Sequence, residues 1–255
     1  MIGDLLHAGL GWPIASILIV TSFLGSLITA GFGIGGGAVM LAVIATLLPA
    51  PAIVPVHGLV QVGSNAGRAF LFRKEVYRAV MMPFLIGALI GIVLGGLFVV
   101  QLEAGALQIA LGSFILWSVA FSPPALMRRS SAITGGLSSF LTMFIGGTGP
   151  FVAAYIKTLG LSRIQHVATH AAFMTLQHLL KTIAFGVLGF AFSKWAGLIG
   201  LLIASGFLGT VAGRHILFKI NEARFKLILN AILIILALRL IYAGGIELWT
   251  GGSTS

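Results

Sequence analysis

Residues 12–51 run for forty positions without one charged side chain, from Trp12 to Pro51. No soluble fold hides that much uncharged chain, and several further apolar stretches exceed the ~18 residues needed to cross a bilayer core. Only 8% of the 255 residues are charged, against about 25% in soluble domains, and mean hydropathy is +1.12. The runs are continuously apolar, which excludes the alternating pattern of a membrane β-barrel. The expected fold class is therefore an all-α polytopic membrane protein.

Absences narrow the function. There is no cysteine, so disulfides, thiolate metal sites and cysteine nucleophiles are excluded. The opening M-I-G-D-L-L-H has no basic n-region, so the first span is expected to be retained. Polar connections reach only about ten residues, too short for an extramembrane ATPase domain. The net charge of +10 is read as cytoplasmic loop charge, not as a nucleic-acid surface.

Apolar segments lie at 12–30, 38–50, 52–71, 79–100, 104–122, 131–147, 149–161, 164–190, 195–213 and 225–243. Segments one and two are parted only by G-F-G-I-G-G-G at 31–37, and segments six and seven only by G-G-T-G-P at 146–150. Two topologies compete. If each glycine-broken segment continues in one direction, the loop cations divide six to six. If the chain reverses at each break, eleven fall on one side (Arg73, Lys74, Arg78, Arg128, Arg129, Lys157, Arg163, Arg214, Lys219, Arg224, Lys226) and only Lys194 on the other. The positive-inside rule selects reversal, with both termini non-cytoplasmic. A full crossing and a re-entrant hairpin satisfy the charges equally.

A shift of 113 residues superposes Gly33 on Gly146, Gly36 on Gly149, Thr29 on Thr142, His57 on His170, Asn65 on His178 and Arg68 on Lys181 without a gap. This predicts two repeats, 1–125 and 126–255, within a single membrane domain. Each has a glycine-broken first segment, hairpin or re-entrant, plus three spanning helices. Five passes per half make the repeats inverted, an architecture of secondary transporters.

The first break contains G-x-G-x-x-G, but a dinucleotide site needs a preceding strand and a downstream acid. Two readings remain: close helix packing through small residues, or an unwound break whose backbone N–H groups face an anion. Matched breaks favour the second. Pro150 supports a real interruption, since it lacks an N–H and starts a helix well. The candidate amides are those of Gly33, Gly35, Gly36 and Gly37, and of Gly146, Gly147, Thr148 and Gly149.

His57, Gln61, Ser64, Asn65 and Arg68 share one helix face through i, i+4, i+7, i+8, i+11 spacing. His170, Met174, Gln177, His178 and Lys181 repeat that spacing in the second half. One such residue usually bonds a neighbouring helix, and Arg68 could snorkel. Two matched stripes, each ending in a cation, mark a pathway. The five acids (Asp4, Glu75, Glu103, Glu222, Glu247) all lie at segment ends or in loops. The intramembrane inventory of donors and cations suits an anion, and the histidines are its groups able to titrate near neutral pH. His166 and His170 stand at i, i+4, but two ligands do not make a metal site; no metal or cofactor is expected. His7 and His215 are read as interfacial. A rhomboid-type protease would need G-x-S-G, and G-L-S-S at 136–139 fails at its last position.

The glycine run followed by P-x-H-G at 55–58, the repeated G-G-x-G break and the four-plus-four apolar layout resemble the TauE/SafE family over nearly the whole chain. The resemblance implies a permease for sulfite, sulfonates, thiosulfate or related sulfur anions, in the bacterial inner membrane and often directed outward. The expected function is thus secondary transport of a small sulfur-containing anion by alternating access. An anion channel is the alternative and an intramembrane hydrolase the more distant one. Beyond the anion the lipid bilayer is the expected partner; nucleic acid is not, and homo-oligomer formation stays open. The proposed substrate contacts are the eight break residues with His57, Gln61, Asn65, Arg68, His170, Gln177, His178 and Lys181.

Overall fold

A computed structural model describes residues 2–98, 103–214 and 222–251, and these form eleven α-helices with no strand among the described residues. The helices are α1 (Ile2–His7), α2 (Trp12–Phe32), α3 (Gly36–Leu47), α4 (Ala50–Leu71), α5 (Met81–Phe98), α6 (Ala104–Ala120), α7 (Ser131–Ile145), α8 (Gly149–Lys157), α9 (Arg163–Val187), α10 (Ala196–Arg214) and α11 (Glu222–Gly251). The ten predicted passes correspond to α2–α11, and α1 is an additional short helix. Lys219 and His215 lie outside the described residues.

Helix ends follow local chemistry. Pro13 and Pro150 open α2 and α8, where a missing N–H costs nothing. Ser130 caps α7 by accepting from the Ile133 amide at 3.1 Å, and Ser162 with Gln165 forms a capping box at α9. The stretches 12–32, 78–98, 192–214 and 226–250 are long and apolar enough to cross a membrane. At 1.5 Å per residue α4 and α9 are also long enough, at about 33 and 37 Å, but their polar stripes lower their hydropathy. α3 and α8 measure only about 18 and 14 Å, each short of a ~30 Å hydrocarbon core.

The expected breaks are present. Gly33 ends α2 at φ 87° and Gly146 ends α7 at φ 72°, conformations open to glycine and strained for other residues. Their amides bond Thr29 O at 2.8 Å and Thr142 O at 3.1 Å, two threonines that also correspond under the 113-residue shift. α3 then folds back against α2, with Gly36 lying on Gly25 so closely that a methyl at Gly36 would stand 1.7 Å from the Gly25 carbonyl oxygen.

Most of the packing is between the two halves. α5 lies along α7, α10 along α2, α6 along α11, and α4 along α9. Glycines bring these backbones together, as expected where lipid supplies no hydrophobic drive between helices. Gly91 abuts Gly136, Gly209 abuts Phe23 and Gly105 abuts Gly244. One apolar core cluster joins α2, α3, α4, α6, α10 and α11, and a smaller one joins α5, α8 and α9 around the stacked pair Phe84 and Phe173.

Candidate functional site

α4 and α9 pack against each other with their polar stripes inside. His57, Gln61, Asn65, Arg68, His170, Gln177, His178 and Lys181 are all buried. The snorkelling alternative for Arg68 is not what the structure adopts: its guanidinium donates to Asn65 Oδ1 at 3.1 Å and Ser64 Oγ at 3.3 Å.

The stripes reach the breaks. His57 Nε2 lies 3.1 Å from the Gly37 carbonyl oxygen, and His170 Nε2 lies 3.3 Å from that of Gly149. A carbonyl only accepts, so neutral imidazoles carry their proton on Nε2 here. Gln177 donates to Thr148 Oγ1 at 2.9 Å and Ser138 Oγ at 3.2 Å. Lys181 crosses to the second break, donating to Gly146 O at 2.9 Å and Thr142 Oγ1 at 3.4 Å. Its stem runs over Gly58, where a methyl would stand 2.8 Å from Cε. His57 and His178 meet edge to face at 5.7 Å, and His166 stacks on His170 at 6.5 Å. Arg163, at the start of α9, donates to Gly31 O at 3.0 Å.

The matched cations therefore do different things. Arg68 bonds within its own helix, whereas Lys181 holds the carbonyl that ends α7. Neither has a carboxylate partner among the described residues.

A cavity of about 660 Å³ lies between the breaks. Of the expected contacts, Gly35, Gly37, His57, Gln61, Asn65, Gly147, Gly149, His170 and His178 line it. Gly33, Gly36, Arg68, Gly146, Thr148, Gln177 and Lys181 do not; Arg68 backs the wall by donating to Asn65, while Gln177 and Lys181 bond Thr148 and Gly146 in the second break. Gly36 and Gly37 sit in the first turn of α3, and Gly149 in the first turn of α8, where backbone N–H groups have no intrahelical acceptor. No Asp or Glu lines the cavity among the described residues. The wall thus offers backbone amides at two helix N-termini together with the Gln61 side chain and the His178 ring, a set suited to negative charge, while His57 and His170 spend their Nε2 contact on the breaks. No group of three or more His, Asp or Glu able to hold a metal occurs among the described residues.

Other lining residues did not stand out in the sequence as site residues. Ser118, Ser122 and Asn230 carry no periodic signal, and Arg128, Lys157 and Lys226 read only as loop cations. Ser138 sits in the G-L-S-S stretch that fails as a protease motif, and supports Gln177 instead.

No curated protein and no solved structure matches the chain. The family model described as "Sulfite exporter TauE/SafE" matches residues 17–240. That span includes both breaks, both stripes and every helix from α3 to α10, so the chain is a multi-pass membrane protein that belongs to the TauE/SafE family of transporters.

Proposed function

We propose that the protein is a secondary transporter of small sulfur oxyanions, with sulfite foremost, working by alternating access in the bacterial inner membrane. The observation that carries this reading is the acid-free cavity between two glycine breaks, lined by His57, Gln61, Asn65, His170 and His178 and by the first turns of α3 and α8. The family description supports the sulfur chemistry. In this reading the anion's oxygens meet the amides near Gly35–Gly37 and Gly147–Gly149, Gln61 and His178 donate beside them, and His57, Asn65 and His170 shape the wall, their N–H groups being taken by Gly37 O, Gln61 and Gly149 O. Arg68 and Lys181 supply positive potential from one layer behind. A carboxylate in the wall would repel the substrate, and none lines it among the described residues.

The matched packing of α5 on α7 and of α10 on α2 supports two repeats, 1–125 and 126–255; their inverted topology, with both termini non-cytoplasmic, rests on the distribution of loop cations. Rocking one repeat against the other would expose the cavity to each side in turn. The test is flux of labelled sulfite and of a sulfonate in proteoliposomes. Saturable flux with counterflow is expected, and counterflow separates a carrier from a channel. Absence of saturable flux for every anion overturns transport. Equal flux in wild type and in His57→Ala/His170→Ala removes those histidines from the mechanism.

A further inference from the structure

The cavity has a second chemical zone that the proposed substrate shell does not use. Arg128 precedes α7, Lys157 ends α8 and Lys226 lies near the start of α11. These three residues, distant in sequence, line the same cavity as the histidines and glycine breaks, and all three are exposed. Ser122, also exposed, lines it beside them. No acid accompanies them in the wall among the described residues.

The ordinary account of such cations is topological: loop Lys and Arg collect on the cytoplasmic side. It explains why they share a side. It does not explain why these three line the cavity while Arg73, Lys74, Arg78 and Arg129, in the same set of loop cations, do not. A cleft lined by one sign of charge, with low-dielectric walls, raises the local concentration of counter-ions and their rate of entry.

We infer that Arg128, Lys157 and Lys226 form an anion-capture site at the mouth of the cavity, separate from the deeper shell, which loads small oxyanions from the cation-rich face and favours divalent over monovalent ones. Its role in loading rests on the transport reading; its existence as an anion site does not. An anion held at the mouth is desolvated only in part, so the site raises encounter rate and leaves the translocation step unchanged. Neutralising it raises KM for substrate presented from that face and leaves kcat alone. A contribution to fold or to gating would move kcat instead.

The chain has no cysteine, which allows a readout independent of transport. In the full chain carrying Ser122→Cys, the modification rate by an anionic methanethiosulfonate (sulfonatoethyl) is compared with that by a cationic one (trimethylammonioethyl). For charges roughly 9 Å from the probe in a water-like dielectric, Coulomb's law gives about a twofold fall in the anionic rate per cation removed, and about tenfold for Arg128→Gln/Lys157→Gln/Lys226→Gln. The cationic rate rises by similar factors. The difference is expected at ~10 mM salt and is largely lost at ~0.5 M, as screening requires. Arg73→Gln/Arg129→Gln is the control, compared with the triple variant at ~0.1 M salt, where the Debye length is about 10 Å and a clearly smaller change is expected because neither residue lines the cavity. Unaltered rates in the triple variant, or an equal change in the control pair, overturn the inference. The single variants decide if the triple variant fails to fold. Altered rates without saturable flux of any anion uphold the site and overturn transport; altered rates with unchanged KM for sulfate and sulfite from that face overturn the loading role.

Discussion

Two glycines five residues apart in the first break are expected to respond oppositely to a methyl group. At Gly36 the added Cβ would lie 1.7 Å from the Gly25 carbonyl oxygen, 2.4 Å from its carbon and 2.5 Å from Thr29 Oγ1. A comfortable carbon–oxygen contact is about 3.3 Å, so α2 and α3 would have to separate by roughly 1.6 Å at this point. The obstacle is backbone, which no rotamer change relieves. Overpacking costs about 1–3 kcal/mol, and Gly36→Ala belongs at the upper end. At Gly31 the nearest atom is Gly213 O at 3.9 Å. The residue is helical, so Gly31→Ala gains about 0.5–1 kcal/mol from a smaller loss of backbone entropy. The two variants should therefore differ by about 3 kcal/mol, or some 6–12 °C in unfolding midpoint for a chain of this size. Thermal unfolding in one detergent, followed by circular dichroism, measures the gap. Equal midpoints would refute the argument that close approach of α2 and α3 is what requires glycine at 36.

Three further outcomes are expected. Gln177→Leu strips the donor from buried Thr148 and Ser138 and should cost about 1–3 kcal/mol in denaturant unfolding. Lys181→Met removes a buried cation that has no carboxylate partner among the described residues, while Thr142 still donates to Gly146 O at 2.9 Å; stability should hold within about 1 kcal/mol or rise, and anion flux should fall at least about tenfold, as losing one charge roughly 8 Å from the anion at an effective dielectric of about 20 allows. Ser162→Ala deletes the capping box of α9 and should cost about 1 kcal/mol with anion KM unchanged, which the same unfolding and flux assays check.

Much of this arrangement was legible in the residues. Glycine breaks announce themselves because few other residues take a positive φ, and Gly33 and Gly146 do so. The stripes were legible because polar residues at i, i+4, i+7 and i+8 share a face whatever packs against it. What spacing could not reveal is which stripe members look into the cavity and which look past it. Arg68 and Lys181 share a register, yet Lys181 reaches Gly146 because Gly58 on α4 leaves room for its stem, and that depends on the crossing of α4 and α9. Arg128, Lys157 and Lys226 stayed hidden for the opposite reason. Each looks like an ordinary loop cation, and only the fold gathers them around one opening. The exchange of partners between halves also left no sequence trace beyond glycines scattered along α2, α5, α7 and α10.

That exchange has a consequence for biosynthesis. α2 leaves the ribosome more than 160 residues before α10, its packing partner, which at about 5–20 residues per second is a wait of roughly 8–30 s. Through that interval Ser22, which later donates to Leu202 O, stands on a face of α2 that the glycines of α10 have yet to close. Because α2, α4, α5 and α6 pack chiefly on α10, α9, α7 and α11, a chain severed near residue 125 is expected to assemble only when both pieces are made together. A protein built this way matures at its second half's pace, and a nascent first half depends on the insertion machinery to shelter the surfaces it cannot yet bury.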